Sequence, residues 1–182
     1  MESKSRFFIT IILFFLLLSI HCSTNPIKQE SDFVITDIDG NTYKTVSIGD
    51  QEWMTENLKT THFQNGDQIF NVLNDTTGAL LTTSAYSVYN NDISHVESFG
   101  NLYNGFVIDD ERGVCPDGWH VPSDEEFIEL EMYLGMDSTI SKNTGWRGTL
   151  EGGKLKESRT IHWNPPNTGA TNYFGFNAHP SG

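Results

Sequence analysis

Chemistry in this chain would have to come from few residue types at wide spacing. His62, His95, His120, His162 and His179 form no HxH or HxxxH pair, and no CxxC occurs. The close spacing with which one strand or helix presents two zinc ligands is therefore missing, and no metal and no cofactor are expected. Serine nucleophiles lack a GxSxG elbow. Glu125 and Glu126 are adjacent carboxylates, but Ser123 and Glu126 have the spacing of a helix capping box, and Asp124 and Glu125 suit the positive end of a helix dipole. Both glutamates read as structural, and no catalytic residue is expected. The run DIDGN at Asp37–Asn41 opens like a calcium loop, but the later ligands and terminal Glu are missing, so a type I′ hairpin turn at Asp39-Gly40 is the better reading.

Binding remains. Trp146, Trp163, Tyr173 and Phe174 lie in or near turn-rich loops, where aromatic faces can stack on sugar rings. Asn172, within the amide-rich NTGATN run, offers hydrogen-bond donors and acceptors together. The competing reading makes the same aromatics the closure of a small core. Nucleic acid is not an expected partner: the net charge is -13 over 182 residues, and no basic stripe interrupts the acidity.

These residues need elements to hold them. Residues 1–21 carry Lys4 and Arg6, then an apolar run from Phe7 to Ile20, the layout of a secretory signal peptide. The run is shorter than the ~20 residues that span a bilayer. Cys22 directly after it resembles the acylated cysteine of a bacterial lipoprotein, which implies anchoring in an outer membrane or at the cell surface. His21 stands where such signals carry a small residue, so a leader left uncut or cut elsewhere is the alternative. Residues 22–32 read as a polar tether, and a domain spans 33–182.

Within the domain, turn signals at Asp39-Gly40 and Gly49-Asp50 separate apolar stretches and imply a three-stranded meander. From Thr60 to Gly100 long loops with short strands are expected. Leu102, Phe106 and Ile108 share one face of an expected strand, and Trp119-His120-Val121 reads as a short buried strand ended by Pro122. Ser123 then opens the best-marked helix, with Phe127, Ile128, Leu130 and Leu134 as its apolar face and Gly135 as its stop. Ile140 to Leu155 is a weak second helix or a loop.

Five segments, DIDGNTYKTVSIGDQEWMTENLKT, GNLYNGF, GVCPDGWHVPSDEEF, GGKLKE and TGATNYFGFNAHPSG, together resemble the Fibrobacter succinogenes major paralogous domain (FISUMP) from about Asp37 onward. Gly118–Phe127 also resembles the GWRLPTEAEW type of stretch in formylglycine-generating-enzyme domains. Both resemblances imply a C-type-lectin-like α+β fold, loop-rich, with short antiparallel strands and one or two helices. The family's WWSS-like segment and terminal R-C pair are not found here, which implies a domain incomplete at its C-terminus. On that resemblance Cys115 would face the terminal cysteine, and no intramolecular disulfide is expected. The implied role is a non-catalytic binding or adhesion module of the cell envelope, with a polysaccharide or a protein as ligand. An oxidase of the formylglycine-generating type, which would need paired cysteines, and a non-functional truncated paralogue are the alternatives.

Metabolic labelling with palmitate is expected to mark the chain, and Cys22→Ala to abolish the mark. A label that survives the substitution would remove the lipid anchor.

Overall fold

The alternating apolar residues that open the domain form an antiparallel sheet of β1 (Val34–Thr36), β2 (Thr42–Ile48) and β3 (Gln51–Met54), in the order β1-β2-β3. The computed structural model describes residues 34–73 and 80–180; the leader, Cys22 and the tether lie outside the described residues. Tyr43 and Thr45 are buried on one face of β2, and at its far end Ile48 is buried on the opposite face with Val46 half-buried beside it, so the strand packs on different sides at its two ends. Gly49 (φ +65) opens the two-residue turn between the paired residues Ile48 and Gln51, which is the glycine position of a type II′ turn.

The first turn differs from the sequence expectation. A type I′ turn needs positive φ at both Asp39 and Gly40, and only Gly40 has it (φ +85). The loop instead bonds Gly40 N to the Asp37 carbonyl and Asp37 N to the Asn41 carbonyl, a wider hairpin. Asp37 dictates the change: its buried carboxylate accepts the Asp39 and Asn41 amides, the Asn41 side-chain amide and, at 2.6 Å, the Tyr43 hydroxyl.

The second sheet comprises β4 (Phe70–Asn71), β5 (Ala85–Val88) and β6 (Asn101–Tyr103), with β4 parallel and β6 antiparallel to the central β5. Single helical turns flank it, α1 (Val96–Phe99) and α2 (Gly105–Ile108). The strand expected to run through Phe106 and Ile108 stops at Tyr103. The Asn104 side chain accepts the Val107 amide and starts α2, which buries Val107 and leaves Phe106 and Ile108 about half exposed.

The long helix is α3 (Asp124–Tyr133). Its capping box is formed, with Ser123 Oγ accepting the Glu126 amide and the Glu126 carboxylate accepting the Ser123 amide. Its end is a Schellman cap: Gly135 (φ +104) donates to the Met132 carbonyl and Met136 to that of Glu131. Leu130 and Leu134 are buried, whereas Phe127 is 41% exposed and meets Trp53 edge-on. Trp119-His120-Val121 is not a strand. Trp119 N closes a turn on the Pro116 carbonyl, Pro122 offers no amide, and Val121 is exposed. Residues 140–155 are loop except for a 3-10 turn at Gly152–Lys154.

Among the described residues two apolar clusters form. Phe63, Ile69, Tyr86, Val88, Val107 and Val114 fill one, with the Arg112 guanidinium 3.9 Å from the Phe63 ring centre. Ile48, Leu130 and Leu134 form the other, flanked by Trp53, Leu155, Phe174 and Phe176. Between sheets, the irregular segment 57–62 is held by side chains. The Asp39 carboxylate accepts the Thr61 amide and the Thr60 and Thr61 hydroxyls and meets His62 Nδ1. Asn101 Nδ2 donates to the Lys59 and Thr60 carbonyls, and the Tyr103 hydroxyl to that of Thr60. Burial raises the Asp39 carboxyl, but the Thr61, Thr60 and His62 contacts outweigh it and hold it below the usual range.

The Tyr43 hydroxyl joins the hairpin to this segment, donating to Asp37 and accepting the Lys59 amide at 2.9 Å. Burial first, and the Asp37 bond next, push its phenol well above the ordinary range. Tyr43→Phe keeps the ring and leaves two buried polar groups short of a partner. It is expected to cost about 1–3 kcal/mol in urea denaturation; a loss below about 0.5 kcal/mol would show that the network is dispensable.

Candidate functional site

β3 and the 114–122 segment, far apart in sequence, face each other across a groove of about 500 Å3. The volume and mainly apolar lining are those of a ligand cleft. Trp53 and Met54 supply one wall, Val114, Cys115, Trp119 and Val121 the other, and Leu58 and Tyr103 the floor. Leu58, Tyr103 and Cys115 also pack on the first apolar cluster, and Trp53 on the second, so the groove occupies the seam between the two.

Each wall is positioned by identifiable bonds. Gln51 Nε2 donates to the Glu126 carbonyl, and Trp53 Nε1 to Gln51 Oε1, which fixes β3 against α3. The Trp53 ring lies 5.4 Å from Phe127 and 6.0 Å from Phe176, centre to centre. On the opposite wall Gln64 Nε2 donates to the Cys115 carbonyl at 2.6 Å. His120 Nε2 meets Glu126 Oε1 at 2.8 Å on the polar rim. The Ser123 amide, followed by His120, keeps the Glu126 carboxyl below its ordinary range, so the rim carries a carboxylate at neutral pH.

Five consecutive residues, Asp50 to Met54, line the groove, so the backbone of β3 forms its border. Among the described residues β3 pairs only with β2. Thr55 N donates to the Lys44 carbonyl, and the antiparallel alternation then turns the amide and carbonyl of Met54 away from β2. The groove thus combines apolar walls with an open strand edge.

The residues singled out in the sequence for binding, Trp146, Trp163, Asn172, Tyr173 and Phe174, lie elsewhere; none of the five lines this groove. Trp163 Nε1 donates to the Ala178 carbonyl, and Lys156 Nζ sits 3.9 Å from its ring centre. Asn172 (φ +46) accepts the Asn177 amide through its side chain and shapes the loop. Trp146 is fully exposed and Tyr173 largely so, with Tyr173 edge-on to Phe174. Trp119, Ser123, Glu126 and Cys115, read as structural, border or support the groove. Trp53, Met54, Leu58 and Tyr103 were not picked out; the one signal was a tryptophan in the short strand after the Gly49-Asp50 turn.

The histidines, scattered in sequence, are not all scattered in space. His162 and His179 stand with ring centres 4.2 Å apart beside the buried Glu157. The Cys115 thiol is free, and burial raises it above its ordinary range, which disfavours the thiolate that nucleophilic chemistry requires. No helix among the described residues is long and apolar enough to cross a membrane.

In the comparison with known protein families, the model of the Fibrobacter succinogenes major domain covers residues 46–182. No curated protein matches the chain, and no solved structure does.

In a Cys22→Ala background, Cys115 is expected to react with iodoacetamide at neutral pH at least about tenfold more slowly than the urea-unfolded chain. Equal rates would mean that the thiol is neither buried nor raised.

Proposed function

The chain belongs to the Fibrobacter succinogenes major domain family, and on that premise we propose that it is an exported, Cys22-anchored envelope protein whose domain binds without catalysing. Family membership supports the envelope setting. The ligand is an extended polypeptide segment, laid along β3 with its apolar side chains in the groove. One observation carries this reading: the mainly apolar groove is bordered by β3, a strand that among the described residues pairs on one side only. Main-chain bonding to such an edge supplies affinity, and alternate side chains entering the groove supply selectivity. A polysaccharide ligand would need polar partners spread along an aromatic platform. Here Trp146 and Tyr173 are exposed, and neither they nor Trp163 and Asn172 line the groove.

The non-catalytic half of the proposal rests on the acids and the thiol. Glu126 is occupied by its capping bonds and His120, and Cys115 is protonated at neutral pH by burial. Neither is poised to exchange a proton or attack a carbonyl.

The test screens the purified full chain against a library of immobilised extended peptides and against a glycan array. Saturable peptide binding is expected, weakened at least about tenfold by Trp119→Ala, which removes an anchor from the wall. Met54→Pro should weaken it comparably, because it deletes an outward-facing amide at an edge position where proline is tolerated. Binding of glycans but not peptides, or peptide binding indifferent to both substitutions, would overturn the assignment.

A further inference from the structure

Glu157, His162 and His179 meet at the opposite end of the molecule's sequence from β3, and none of them lines the groove. We infer that they form a zinc site. One donor atom from each residue lies within 4.8 Å of the other two. Glu157 Oε1 lies 3.2 Å from His162 Nδ1 and 3.9 Å from His179 Nε2. Those separations bracket the ~3.3 Å edge of a tetrahedron with zinc–donor bonds of about 2.0–2.1 Å. Two imidazoles and one carboxylate are a recurring zinc donor set, leaving a fourth position for water or a ligand.

Three further features suit a metal. The first is the buried carboxylate: Glu157 is 7% exposed, and a buried charge demands a compensating one. The second is ring orientation. His179 Nδ1 donates to the Ser98 carbonyl at 2.9 Å, which leaves its Nε2 lone pair directed at the cluster, the outer bond that zinc-ligating histidines use. The third is backbone scaffolding. Glu157 N donates to the Ala178 carbonyl, Trp163 Nε1 donates to the same oxygen, and Asn167 Nδ2 donates to the Glu157 and Arg159 carbonyls. The donors are thus held before any ion arrives. An ion must displace two contacts, Asn177 Nδ2 at 3.2 Å from His179 Nε2 and the hydrogen bond of His162 Nδ1 to the Glu157 carboxylate, whose proton leaves as the metal binds.

A bound ion would tie the 157–163 loop, the 177–179 segment and the residue before Phe99 into one unit. The experiment dialyses the purified full chain against a chelator and titrates it with Zn2+, and separately with Co2+, whose visible absorption reports donor geometry. One equivalent of each is expected to bind, with a Tm raised by several degrees under saturating zinc. Glu157→Gln and His179→Asn should each weaken binding at least about tenfold. The double variant His162→Asn, His179→Asn should lose the cobalt absorption while circular dichroism shows the fold retained. Wild-type protein that takes up no Zn2+ or Co2+, or takes up as much as the double variant, overturns the site. If the double variant fails to fold, absence of binding by wild-type protein still overturns it, and the graded weakening in the single variants still supports it. Because the groove is elsewhere, peptide binding surviving in a zinc-free chain would leave the two assignments separable.

Discussion

Irregular backbone in this protein is held by side-chain carboxylates and amides, and the arrangement of the domain depends on that. Segment 57–62 carries amides and carbonyls that no sheet ladder satisfies, yet it runs between the two sheets, where unmet polar groups are costly. Asp39, Asn101, Tyr103 and Tyr43 meet them instead. Asp37 does the same work inside the first hairpin, with four donors on one carboxylate. Burying a charge is tolerable only under such saturation. Acid should loosen this region before the apolar clusters. The Asp39 carboxyl is held low, so its stabilisation is complete above the ordinary aspartate range and is lost as pH falls through the depressed value.

That network is also what sets the groove. With segment 57–62 fixed, Leu58 packs on the first apolar cluster while β3 remains bound to the second through Trp53 and Gln51. The Gly49 turn brings β3 against α3 so closely that a Cβ there would lie 2.9 Å from the Tyr133 ring. One strand is therefore tied down at its turn and on one side, and among the described residues no second strand pairs with its other side.

Legibility in the sequence followed the range of each interaction. The start and stop of α3 were readable because Ser123, Glu126 and Gly135 act within a few residues of one another. The three-strand meander was readable from alternation, but the type of its first turn was not, because the Asp37 carboxylate rewrote the local geometry. Asn104 ended an expected strand by the same kind of short-range capture, a signal present in the sequence and outweighed there by the apolar pattern of Phe106 and Ile108. The groove could not be read at all: Trp53 and Trp119 line one cavity only because β3 and the 114–122 segment are brought together through long-range packing. The same holds for Glu157, His162 and His179, whose spacing matches no single-element metal motif and whose meeting depends on the backbone bonds of Ala178 to Glu157 and Leu155.

The division of the apolar interior into two separate clusters has a consequence for how the fold is maintained. Neither cluster is large, and the seam between them is open to solvent along Trp53, Leu58 and Tyr103. Any guest seated in that seam touches both clusters at once and becomes part of the interior. Its affinity and the resistance of the domain to unfolding are then two readings of a single free energy, rising and falling together.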